Sequence, residues 1–166
     1  MSIHSFQNVV SLEKSGICMW EKYRHESQQT ICIIGVLILA TKLCKADGHF
    51  TAQEEIEILK IIPHEPQQKN SLIRIMEEAN KDPNPIEHDA KNLKKLLQDE
   101  HPEFLEFIVA VLYRLANIDH VYHDDEDEAI RDVAKVFGIT KTFWQETSET
   151  MIQFFKIKYF SKKQNA

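Results

Sequence analysis

The chain has 166 residues, of which 43% are hydrophobic and 28% charged, and a formal net charge of −6. That length suits one domain with a genuine core, and the composition is that of a folded protein rather than a disordered or fibrous one. The negative balance removes the long-range electrostatic drive towards nucleic acid, and a chain with 4 Gly holds no glycine-rich phosphate loop.

Its prolines, Pro63, Pro66, Pro83, Pro85 and Pro102, leave long uninterrupted stretches that favour helices. Over residues 4–26, Phe6, Val9, Val10, Ile17, Trp20 and Tyr23 recur at mostly helical spacing, with Gly16 as a break. Residues 1–27 are read as an N-terminal helical segment. The stretch 28–46 is apolar nearly all round, which predicts a central helix buried on most faces, ending at Asp47-Gly48 with Gly in a left-handed cap. Thr51 and Glu54 form a Thr-x-x-Glu capping box opening a short helix that stops at Pro63.

Two amphipathic helices follow. One spans about 70–81, with Leu72, Ile73, Met76 and Ala79 inward, and Pro83-Asn84-Pro85 breaks it. The next spans about 86–99, with Ile86, Ala90, Leu93, Leu96 and Leu97 inward. The stretch 102–118 has the same apolar character as 28–46, so the two are expected to form a central pair, with Trp20, Phe107 and Trp144 largely buried. A helix over 124–137 ends at Gly138, and Thr140 or Thr142 opens a last one, where Met151, Phe154 and Phe155 read as core. No stretch alternates with period two, so the fold class is all-α, a compact domain of about seven to eight helices over 28–155 with a basic tail at 156–166.

Cys18, Cys32 and Cys44 follow no Cys-x-x-Cys spacing and read as buried thiols of a reducing compartment. The run ICIIGVLILATKLC falls short of the roughly 20 residues that cross a bilayer, and no signal-type apolar core opens the chain. A cytoplasmic protein is expected, at most on the cytosolic face of a membrane.

One loop signature occurs twice. Residues 45–55 read KADGHFTAQEE and residues 117–127 read NIDHVYHDDED. At a single offset Asp47 and Glu54 fall on Asp119 and Glu126, and Phe50 falls on Tyr122. Upstream, Val36, Leu37, Leu39, Lys42 and Leu43 fall on Ile108, Val109, Val111, Arg114 and Leu115. Downstream, Ile58 and Ile61 fall on Ile130 and Val133. One helix–acidic loop–helix unit is used twice, which predicts approximate internal symmetry with the two loops close together.

With both loops placed, the chain resembles the TerB-like family: the tellurite-resistance TerB proteins and the central domain of DjlA-type membrane co-chaperones. Ala46-Asp47-Gly48, Phe50 and Glu54 carry the family pattern in full. Ile118-Asp119-His120, Tyr122 and Glu126 keep its acids and apolar residue but put Ile and His for Ala and Gly. Val133 to Ile139, reading VAKVFGI, looks like the family's closing helix. Over about residues 28–155 the resemblance implies an all-helical fold, acidic loops proposed to hold divalent metal, and a stress-response or co-chaperone-associated adaptor role. It implies no enzymatic reaction. His101-Pro102-Glu103 echoes the tripeptide of a J-domain but opens an apolar helix instead of sitting in a hairpin loop.

Asp47, Glu54, Asp119 and Glu126 are the candidate metal carboxylates, because Ca²⁺ and Mg²⁺ take several oxygen ligands and two loops supply four. Glu55 and Asp124 add charge, and His123 adds a nitrogen for a softer ion such as Zn²⁺. Against that role stand helix capping by Glu54 and turn stabilisation by Asp47. No nucleophile has a recognisable context, so binding is expected over turnover. A metal-dependent hydrolase using the loop carboxylates is the competing reading, and a membrane-peripheral scaffold another. In the tail Ile157, Tyr159, Phe160, Lys162 and Lys163 are candidate contacts to a protein partner or an anionic membrane surface.

Overall fold

A computed structural model describes residues 19–97, 102–117, 124–139, 150 and 152–160. A 3-10 turn at Glu21–Tyr23 precedes α1 (Gln28–Cys44), α2 (Ala52–Ile61), α3 (Lys69–Lys81), α4 (Ile86–Leu96), α5 (Pro102–Ala116) and α6 (Asp124–Phe137). A helical stretch over 152–155 then runs into a π-helical turn, Lys156–Phe160. No strand occurs among the described residues, and the fold is all-α as the sequence pattern required.

Ser27 caps α1, its hydroxyl oxygen accepting the Thr30 N–H at 3.2 Å. Every residue of α1 from Thr30 to Cys44 is buried, because α3, α4 and α5 all pack on it. An apolar perimeter needs neighbours on several sides, and α1 has them. On α5, Phe104, Leu105, Phe107 to Tyr113 and Ala116 are buried, so 28–44 and 102–116 are the expected central pair. Trp20 and Phe107 are buried; Trp144 lies outside the described residues. One crossing is especially tight: a Cβ built on Gly35 of α1 would lie 2.4 Å from Leu93 Cδ2 of α4.

The helices that follow the two acidic loops begin at equivalent positions. The repeat-equivalent Ala52 and Asp124 each begin a helix. At the centre, the Cys32 thiol donates to the Phe104 carbonyl oxygen at 3.9 Å, and these residues are themselves equivalents, 72 positions apart. A residue touches its own counterpart only near a symmetry axis. Such a contact between α1 and α5 is what the approximate internal two-fold expected from the repeated sequence requires. The repeats differ in the lengths of their second helices. Pro63 ends α2 early, whereas α6 runs on to Gly138, whose φ of 73° lets the Ile139 N–H reach the Ala134 carbonyl at 2.8 Å.

Among the described residues of the last aromatic run one differs from its sequence reading, and Met151, also expected in the core, lies outside them. Phe155 stacks on Phe107 with ring centroids 5.1 Å apart, but Phe154, expected in the core, is 57% exposed. Periodicity assigns a face only when polar residues mark the other one, and here aromatics occupy both.

Candidate functional site

The first acidic loop is built by local capping. After Cys44 a 3-10 turn, Lys45–Asp47, ends on Gly48 at φ 106°, a left-handed conformation cheap only for Gly. The chain re-enters helix at Thr51. Its hydroxyl oxygen accepts the Glu54 N–H at 3.2 Å, while Glu54 Oε2 accepts the Thr51 N–H at 2.7 Å and its hydroxyl at 3.0 Å. Both halves of the capping box are formed, so one Glu54 oxygen is committed to the helix start.

Glu126 occupies the matching third position of α6 and is buried, 9% exposed. Glu54 and Glu126 line one cavity of about 140 Å³. Its apolar wall is Leu43 with Leu115 and Cys44 with Ala116, again repeat-equivalent pairs, at the ends of α1 and α5. Three equivalent pairs around one space place it on the approximate two-fold. Glu57 borders the same cavity. The hydrogen bond from Lys60 holds its carboxyl below the ordinary value, helped by Gln53 and by the charge of Arg114 from the other repeat.

The structure thus brings Glu54 and Glu126 together. Glu55 is half-buried and Asp124 exposed, and neither borders the cavity. The side chain of Asp47, and Asp119 and His123 entirely, lie outside the described residues. Among the described residues no group of three or more His, Cys, Asp or Glu is disposed to hold a metal ion. The donors present are hard carboxylate oxygens, which suit Ca²⁺ or Mg²⁺ better than Zn²⁺. Glu54, Glu57 and Glu126 border the cavity, but Lys60 already occupies Glu57 and the helix cap one oxygen of Glu54, so the loop aspartates would have to complete the six or more oxygens Ca²⁺ takes.

A second polar cluster escaped the sequence reading. Lys42 of α1 is buried, and its ammonium meets Asp82 Oδ2 at 2.6 Å, the Asn84 carbonyl at 2.7 Å and Asp89 Oδ2. Asp89 is fully buried, and its other oxygen accepts the Trp20 indole N–H at 2.9 Å. Partial burial pushes Asp82 up, but Lys42 and the Asn84 amide groups together outweigh it and hold the carboxyl below its usual range. This cluster borders an open cleft of about 500 Å³ edged by Trp20, Glu78, Lys81 and His88. The available signals were a lone Lys in an apolar run and an Asp three residues from Ile86 and four from Leu93, on the buried face of α4. In the second repeat Arg114 replaces Lys42 and is exposed.

At the C-terminal end Ile157 is 70% exposed. Tyr159 is half-buried against the Phe104 ring at 4.9 Å, its hydroxyl donating to Glu103. The Phe160 side chain, Lys162 and Lys163 lie outside the described residues. No helix among the described residues is long and apolar enough to cross a membrane.

No curated protein and no solved structure matches the chain. The model of one family does, that of tellurite resistance protein TerB, over residues 34–149. That span takes in both acidic loops, most of α1 and all of α5, and the chain belongs to the TerB family.

Proposed function

We propose that this TerB-family domain acts by binding, as a stress-response or co-chaperone-associated adaptor, with a divalent cation at the seam of its two repeats. The observation that carries the reading is the cavity between the repeats that both Glu54 and Glu126 line. A cation drawn there, with Asp47 and Asp119 completing its oxygen shell, would clip one repeat to the other and set the surface that a protein partner meets. The alternative is a metal-dependent hydrolase using the loop carboxylates, since the described thiols are poor nucleophiles. Cys32 and Cys44 are both buried, and burial drives the Cys32 thiol far above its ordinary range.

Thermal melts of the wild type and of Asp47→Asn/Asp119→Asn in EDTA, Ca²⁺, Mg²⁺ or Zn²⁺ test the site. A cation bound only by the native state stabilises it by about 2.7 kcal/mol at a hundredfold excess over Kd. The wild type should gain and the double variant should not. Equal melting temperatures in all four solutions would remove the cation from the proposal. Phosphoester or peptide hydrolysis that needs metal and disappears in Asp47→Ala would replace the adaptor with a hydrolase.

A further inference from the structure

The end of the chain is electrically unlike the rest. All 26 acidic residues precede position 150, and the sequence beyond it carries Lys156, Lys158, Lys162 and Lys163 with no acid. Large apolar side chains lie on the outside here. Phe154 is 57% exposed and Ile157 is 70% exposed, three residues apart and therefore on one face. The Lys158 ammonium stands 5.7 Å from the Phe154 ring centroid and 4.9 Å from that of Tyr159. The opposite face is anchored: Ile152 and Phe155 are buried, and Tyr159 is tied to Glu103 on α5. The outward groups are therefore held on a rigid support instead of collapsing onto the core.

We propose that this face, formed by Phe154, Ile157 and Lys158, docks the domain on an anionic lipid bilayer. The charge pattern chooses the occupant. The body carries the acidic excess and the end of the chain lysines without an acid, so an anionic surface favours approach by this end, which sets the orientation as well as the attraction. The chemistry agrees: an aromatic and an aliphatic side chain enter the headgroup–acyl boundary, while lysines on long stems stay at the phosphates. Lys158 remains a cation throughout, because the Tyr159 hydroxyl beside it, and more weakly Glu103, raise its pKa.

The test is co-sedimentation of the full chain with phosphatidylcholine vesicles, with and without phosphatidylserine, at low and high salt. Binding should require phosphatidylserine and weaken with salt. Phe154→Ser/Ile157→Ser and, separately, Lys156→Glu/Lys158→Glu should each lower affinity on the order of tenfold or more, with helical circular dichroism unchanged. All substituted positions but Lys156 are exposed, so Lys158→Glu alone serves if the lysine pair disturbs folding. Absence of binding, equal binding to neutral vesicles, or full binding by Phe154→Ser/Ile157→Ser overturns the proposal. So does a wild-type dimer that Phe154→Ser/Ile157→Ser converts to monomer while vesicle binding is missing, since a second copy would then be the occupant.

Discussion

The Trp20 indole N–H is hydrogen-bonded to Asp89 at 2.9 Å across 69 positions of sequence, with both side chains buried. This bond fastens the segment before α1 to the start of α4, and it completes the solvation of a carboxylate that water does not reach. Trp20→Phe keeps a ring in place but removes the donor. We predict a loss of about 1–3 kcal/mol, the penalty of a buried acceptor left short of a partner. Urea unfolding measures it, and a change within experimental error would show that the bond contributes nothing.

Acid should attack the same cluster from its other side. The Asp82 carboxyl has a folded-state pKa below its ordinary value. A depressed carboxylate contributes stability that is fully present above the unfolded pKa, about 3.9 for Asp, and that is lost as pH falls through the lower folded value. Asp82→Asn should therefore flatten the acid limb of the stability–pH curve below about pH 4, relative to wild type. Parallel curves for the two proteins would contradict this assignment.

Gly35 sits in mid-helix, where Ala is normally worth about 1 kcal/mol more than Gly. Here the sign should reverse. A Cβ at this position would fall 2.4 Å and 2.7 Å from the two Leu93 methyl groups, and Leu93 is fully buried, so its methyl groups would have to shift within a packed core. Gly35→Ala is expected to lose about 1–3 kcal/mol through overpacking. Leu93→Ala in the same chain should make the pair less costly than the sum of the singles, and strict additivity would exclude the contact.

Cys32 should resist alkylation as long as the domain is folded. Its thiol is enclosed on the axis between α1 and α5, and burial suppresses the thiolate that reacts. Modification by a maleimide should follow global unfolding in denaturant. Rapid labelling of Cys32 in native buffer, located by peptide mapping, would argue against the packing of α1 on α5.

Where local rules act alone, the sequence was readable. Four acids in the first turn and a Gly after the last give α6 its bounds, Asp124–Phe137, and the Thr51–Glu54 box formed in full. The common offset of the two signatures pointed to equivalent positions near one another, and Glu54 and Glu126 do line one cavity. Other features needed the third dimension. A carboxylate at Asp89 is tolerable on a core face only because Lys42 and Trp20 arrive from distant segments, and no spacing rule records that arrangement. Similarly, Phe154 and Phe155 are chemically identical neighbours, and only the position of Phe107 decides which one turns inward.

Lys42 also bears on the order in which the domain can assemble. It belongs to the first repeat, yet both carboxylates that meet it, Asp82 and Asp89, come from the connection between the repeats. If the two repeats closed on each other first, they would trap an ammonium without a counter-charge, at a penalty of several kcal/mol. The intervening α3–α4 segment is then the gatekeeper of closure: it must dock on α1 before the second repeat can seal the core. Asp82→Ala should accordingly slow refolding, whereas trimming Ile130→Val in α6 should chiefly speed unfolding. Stopped-flow kinetics of the two variants would show the reverse pattern if the repeats pair first. A duplicated fold whose halves wait for the piece between them behaves as one cooperative unit and not as two tandem ones.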